Sequence, residues 1–185
     1  AHGPEAALPL FSAGLAKGDA LFGRHLKDFQ GPDRAAMAAL LAKDKNTAVV
    51  AATLAWAAED DVPVPAALLK PLMKSKDESL RMAAAELLAR QGDASAVATL
   101  LPLADKDRES QVRFLKAAAA APSADVLPRL KKYLAPETPE DLLILAYLAF
   151  AASKDEVLRA RVESDLTSTL PPRRAAATRA YGRLK

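Results

Sequence analysis

KSKDESLRMAAAELLARQG, residues Lys74–Gly92, reads as one complete helix with its start and stop signals attached. Asp77 and Glu78 form an acidic opening turn. Leu80, Ala83, Ala84, Leu87 and Leu88 then fall at the i, i+3, i+4, i+7, i+8 spacing of a single buried face. Gln91-Gly92-Asp93 ends the helix, with Gly92 placed to supply a left-handed cap.

The same unit recurs on both sides. From Asp33 onward the spacing predicts helix pairs, whose first members are Asp33–Lys43, Pro65–Met73, Asp93–Ala104, Ser123–Leu134 and Asp155–Thr169. The second members are Thr47–Ala58, Glu78–Arg90, Arg108–Ala121, Pro139–Ala152 and Pro171–Arg183. Overlaying the second members aligns Val50, Arg81, Arg113, Leu143 and Arg174, at intervals of 31, 32, 30 and 31 residues. A steady period of this length is the signature of a solenoid, in which each unit buries its apolar face on its neighbours. Ahead of the pairs, Pro4–Lys17 (Leu8, Phe11, Leu15) and Asp19–Gln30 (Leu21, Phe22, Leu26, Phe29) read as an opening helical hairpin. His25 is expected to pack within it. Pro71 and Pro102 lie far enough inside their helices to predict a kink or an early end.

The unit Leu68–Asp93 resembles a bacterial HEAT-like repeat of the short type also found in phycobilisome-lyase-like proteins. A leucine-rich first helix is followed by an acidic turn, then by a leucine or valine and an arginine opening an alanine-rich second helix. Leu100–Pro122, with Asp105, Asp107, Val112 and Arg113, is similar, whereas Leu40–Glu59 has Val50 and Pro128–Ala152 has Leu143 at the arginine's place. The resemblance covers residues 33–183 and implies an all-α, right-handed superhelical solenoid of about five pairs. The whole is one domain: a capping hairpin (1–31), repeats (32–170) and a C-terminal capping helix (171–185), over which Arg173, Arg174, Arg179 and Arg183 spread charge. Such repeats specify a shape better than a function.

Composition agrees with close-packed helices. Of 185 residues, 51% are hydrophobic but only 5% aromatic, with alanine making up much of the difference, and alanine both favours helix and shortens helix–helix distances. No cysteine is present, which excludes disulfides and thiolate chemistry, and no apolar run approaches 18 residues, so no membrane span is expected. The chain opens on Ala1-His2-Gly3, as a cut piece or a mature chain freed of a leader would; the expected location is cytoplasmic, or the cell envelope in the second case. The net charge of +3 only faintly suggests an anionic partner.

The inventory argues against an enzyme. His2 and His25 are the only histidines, with no zinc-type spacing and no elbow motif to complete a nucleophilic triad. Glycine-rich phosphate loops are absent, and Glu59-Asp60-Asp61 and Glu140-Asp141 sit at helix ends, where the macrodipole and solvent account for them. No cofactor and no metal are expected. One position after the aligned arginines the series reads Ala51, Met82, Phe114, Ile144 and Ala175, extended by Leu143, Tyr147 and Leu148. This apolar ladder either lines the inner surface as a groove or is core. The expected site is the groove: Met82, Phe114, Leu143, Ile144 and Tyr147 as apolar anchors, with Arg81, Arg113, Lys116 and Arg174 contacting acidic groups of a protein or peptide. Arg81 and Arg113 have a plainer reading as partners of acidic turn residues. Because some HEAT-like proteins are DNA glycosylases, the resemblance also raises nucleic-acid binding as an alternative, by Arg81, Arg113, Lys116, Arg174 and Arg179 on the second helices with Arg129, Lys131 and Lys132 on another helix. Val50 and Leu143 interrupt that stripe, and the lone Trp56 offers little stacking platform.

Overall fold

The structure is a computed structural model and describes residues 4–18, 25, 32–153 and 155–182. These residues form helices and turns, and no strand occurs among them. None of their helices is long and apolar enough to cross a membrane. The chain divides into two compact units, 1–88 and 89–185. The second helix of the expected hairpin lies outside the described residues except for His25, which is exposed rather than packed.

In the first unit, α1 (Pro4–Ala16), α2 (Pro32–Leu41) and α3 (Thr47–Glu59) pack on one another. Phe11 and Leu15, Met37 and Leu41, and Val49 and Leu54 supply their core. The Ser12 hydroxyl donates to Asp44 and, with the Asn46 N–H, holds that carboxyl below its ordinary pKa. Helices α4 (Ala66–Leu72) and α5 (Glu78–Arg90) follow, and the division between units falls within α5. The stop after α5 is as the sequence predicts: Gly92 adopts φ +87°, a conformation in which a Cβ would be strained.

In the second unit, α6 (Ala94–Thr99) runs into a 3-10 turn (Leu101–Asp105) before α7 (Arg108–Ala120). A broken segment comes next: 3-10 Ala124–Val126, α8 Leu127–Leu130 and 3-10 Lys131–Leu134. Three regular helices complete the described chain, α9 (Glu140–Ala152), α10 (Glu156–Asp165) and α11 (Pro171–Tyr181). Helix α9 packs against both α7 and α11, while α7 rests on Leu101–Asp105, α9 on Lys131–Leu134, and α11 on α10. Proline explains why first members are ragged. Pro71 lies one residue before the end of α4, Pro102 opens the 3-10 turn, and Pro128 lies in the first turn of α8, so each removes a helical donor.

The second members begin at residues 47, 78, 108, 140 and 171, which are 31, 30, 32 and 31 apart. Side-chain caps fix the first three starts: Asn46 accepts from the Ala48 N–H at 2.9 Å, Asp77 from Ser79 at 2.9 Å, and Asp107 from Ser110 at 2.9 Å. Counted from those starts, the third residues (Val49, Leu80, Ser110, Leu142, Arg173) are all buried. So are the seventh (Thr53, Ala84, Phe114, Ala146, Ala177) and the tenth (Trp56, Leu87, Ala117, Ala149, Ala180). Spacing of three and four residues places them on one face. The eighth residues are buried in four helices, but the eighth residue of α11 is the exposed Thr178.

A polar cluster joins the last three helices. Asp165, at the end of α10, accepts from the Tyr147 hydroxyl of α9, from Arg161 Nε at 2.9 Å, and pairs with Arg173 of α11 at 3.9 Å. Arg173 also donates to the Leu134 carbonyl. It is therefore a buried structural cation, which corrects the expectation that it spreads charge over a capping surface. Burial and then the Asp165 hydrogen bond push the Tyr147 pKa from 10.0 to about 12. Burial and then the nearby Asp105 charge do the same for Tyr133, whose hydroxyl donates to the Ala104 carbonyl. Both folded values lie above the unfolded ones, so this stability is complete below about pH 10 and is lost as pH rises through about 12. Urea denaturation at stepped alkaline pH should show a fall of up to about 1.4 kcal/mol per pH unit for each tyrosine. Tyr147→Phe should remove its own share and leave that of Tyr133.

Candidate binding face

The cap positions decide which residues are equivalent. The fourth residues of the second members are Val50, Arg81, Gln111, Leu143 and Arg174, so Arg113, a sixth residue, is out of phase with Arg81. Hydrogen bonding agrees with this. Arg81 donates to the Ser75 carbonyl at 2.7 Å, Arg174 to the Ser168 carbonyl at 2.7 Å, and Gln111, from the same place on α7, to the Lys106 carbonyl at 3.0 Å. A long side chain here reaches back over the first turn and ties down the preceding loop. Arg81 and Arg174 are thus turn clips with a carbonyl acceptor, where an acidic turn residue was expected for Arg81.

The apolar ladder is corrected by burial. Met82 is 4% exposed, Leu143 3%, and Phe114 and Tyr147 0%, so these four belong to the interior. Phe114 is a seventh residue, on the face every second member buries, and matching arginine to arginine had moved it two places out of phase. The fifth residue of α7 is Val112. Of the expected anchors only Ile144 keeps partial exposure, beside Arg113, which is half-buried, and the exposed Lys116.

What the helices leave bare lies in the second unit, where α7, α9 and α11 are successive neighbours. Their fifth residues Val112, Ile144 and Ala175 are half-buried, and their ninth residues are Lys116 (exposed), Leu148 (half-buried) and Arg179 (exposed). Fifth and ninth residues share one face by the i, i+4 rule. Leu145 and Arg113, at the sixth place, widen it and are half-buried. Acidic groups sit two turns away, at the second residues Glu109 and Asp141, and Asp141 is paired with Arg108. The result is a low aliphatic strip on α9 flanked by cations on α7 and α11. In the sequence Val112 stands out only as part of the repeat pattern and Leu145 is not singled out, although counting from Asp107 and Pro139 places both on this face.

The other candidates are committed to structure. Trp56 is buried and donates to Asp60 at 3.0 Å; Arg34 pairs with the same carboxylate at 2.8 Å and lies 5.8 Å over the indole. Arg129, one of the basic candidates, pairs with Asp105. No protein-family model, no curated protein and no solved structure matches the chain.

Proposed function

We propose that the chain is a non-catalytic, HEAT-like binding module. It is a right-handed solenoid of helix pairs, whose second helices hold a protein or peptide segment on the surface they leave uncovered. One observation carries the reading: helix starts and buried positions recur in register, so the same strip is bare on α7, α9 and α11. A repeated element presenting one face again and again creates an extended surface, and partly exposed aliphatics rimmed by charge suit partner contacts. The residues assigned are Val112, Arg113, Lys116, Ile144, Leu145, Leu148 and Arg179. Met82, Phe114, Leu143 and Tyr147 serve the reading only by holding the helices in place.

Selection of a displayed random-peptide library against the whole chain tests it. Enriched peptides should bind the native protein, lose at least about tenfold affinity to Leu148→Glu or Ile144→Glu, an effect of about 1.4 kcal/mol or more, and bind Lys132→Glu unchanged. Helicity should be retained in all three. Failure to enrich any peptide family, or binding indifferent to both α9 substitutions, would overturn the proposal.

A further inference from the structure

The charge order across the bare face points to a particular kind of occupant. The ninth residues of three consecutive neighbouring helices read cation, leucine, cation: Lys116 on α7, Leu148 on α9 and Arg179 on α11. Lys116 and Arg179 are exposed and have no ion-pair or hydrogen-bond partner among the described residues. The acidic second residues lie seven positions nearer the helix starts, roughly 10 Å along the axis at 1.5 Å per residue. Neither acid pairs with either cation, and Asp141 is taken by Arg108. Between the cations, Ile144, Leu145 and Leu148 form the half-buried strip of α9.

We infer that this face takes an acidic–apolar–acidic segment of polypeptide lying across the three helices, with one carboxylate group at Lys116, apolar side chains on the α9 strip, and a second carboxylate group at Arg179. The inference rests on the binding-module reading and adds the partner's chemistry and direction. Packed helices lie about 8–10 Å apart, so two spacings separate the cations by roughly 16–20 Å. An extended chain covers about 3.3 Å per residue, which puts the two acidic groups about five or six residues apart. Charge complementarity selects this occupant over a neutral or basic peptide, because either would leave two cations facing apolar or like-charged groups. A nucleic-acid strand would bring phosphate to the cations but would meet three aliphatic side chains and no aromatic ring between them.

The test uses the full chain and three probes: the octapeptide Ac-Asp-Asp-Leu-Ala-Leu-Leu-Asp-Asp-amide, the same peptide with asparagine replacing every aspartate, and a single-stranded oligothymidylate of eight nucleotides. Fluorescence anisotropy should show the acidic peptide binding at least about tenfold more tightly than its amide counterpart, which is about 1.4 kcal/mol. Lys116→Glu and Arg179→Glu should each weaken it about tenfold, the double variant more than either, with circular dichroism unchanged because both side chains are at the surface. Equal binding of the aspartate and asparagine peptides, or tighter binding of the oligonucleotide, overturns the inference. If library peptides bind through α9 yet carry no paired acidic groups, the inference fails while the binding-module reading stands. If nothing binds and α9 substitutions change nothing, both fail.

Discussion

Phe114→Ala is expected to lower the unfolding free energy by about 3–5 kcal/mol, the cost of deleting a fully buried aromatic ring and leaving a cavity. The ring is 0% exposed, on the seventh position of a helix that packs against both α9 and Leu101–Asp105. Cores are packed at near-crystal density, so the void closes only in part. For a unit of this size each kcal/mol shifts the melting temperature by about 4–8 °C. Urea denaturation followed by far-UV circular dichroism reads the effect directly. Val112→Ala, two residues away and half-buried, should cost about 1 kcal/mol or less. The contrast separates core from surface: a Phe114 standing in an open groove would lose ligand on substitution and keep its stability, whereas the buried ring must do the reverse. Phe114→Glu would place a charge in that interior, and lost binding would then report unfolding.

The period of the fold was legible because it is written in local chemistry. A capping Asn or Asp, an alanine-rich run and a glycine or proline stop are short-range signals, and Asn46, Asp77 and Asp107 set three helix starts that anyone can count. Phase within the helix was harder to read. Arg113 looks like Arg81 chemically, yet the turn clip of α7 is Gln111, and aligning by residue type instead of by distance from the cap carried Phe114 from the interior to an imagined surface. The aliphatic strip on α9 was half-seen for the same reason. Ile144 was found, and Leu145 was hidden in a run, residues 142–148, where nearly every position is apolar and periodicity gives no face. The ragged first helices follow from visible prolines at 71, 102 and 128, of which the first two, lying deeper in their helices, predict breaks from sequence. Least legible was the Asp165 cluster, because its partners come from three helices and Arg173 looks, in sequence, like any other surface arginine.

Asp165→Ala should be the most damaging single-charge removal in the second unit, at about 3–5 kcal/mol. The carboxylate is 7% exposed and gathers the Tyr147 hydroxyl, Arg161 and Arg173 from three helices. Truncation leaves Arg173, 9% exposed, with the Leu134 carbonyl as its one remaining partner among the described residues, and takes from the Tyr147 hydroxyl the carboxylate that accepts from it. An uncompensated buried cation costs far more than the net value of an intact pair, because the pair's Coulomb gain is largely offset by its own desolvation. Three comparisons follow. Tyr147→Phe removes one donor and should cost about 1 kcal/mol. Asp165→Asn keeps an acceptor of the same shape but not the charge, so it should fall between the two. Arg173→Leu introduced together with Asp165→Leu should recover much of what Asp165→Ala loses, since both buried charges then disappear at once. Loss of less than about 1 kcal/mol on Asp165→Ala would mean that water reaches Arg173, and the cluster would then be a surface network of little weight. A full loss, with recovery in the double variant, would show that the cluster ties the middle of α9 to the end of α10 and the first turn of α11, with α9 and α11 being the helices that carry Leu148 and Arg179.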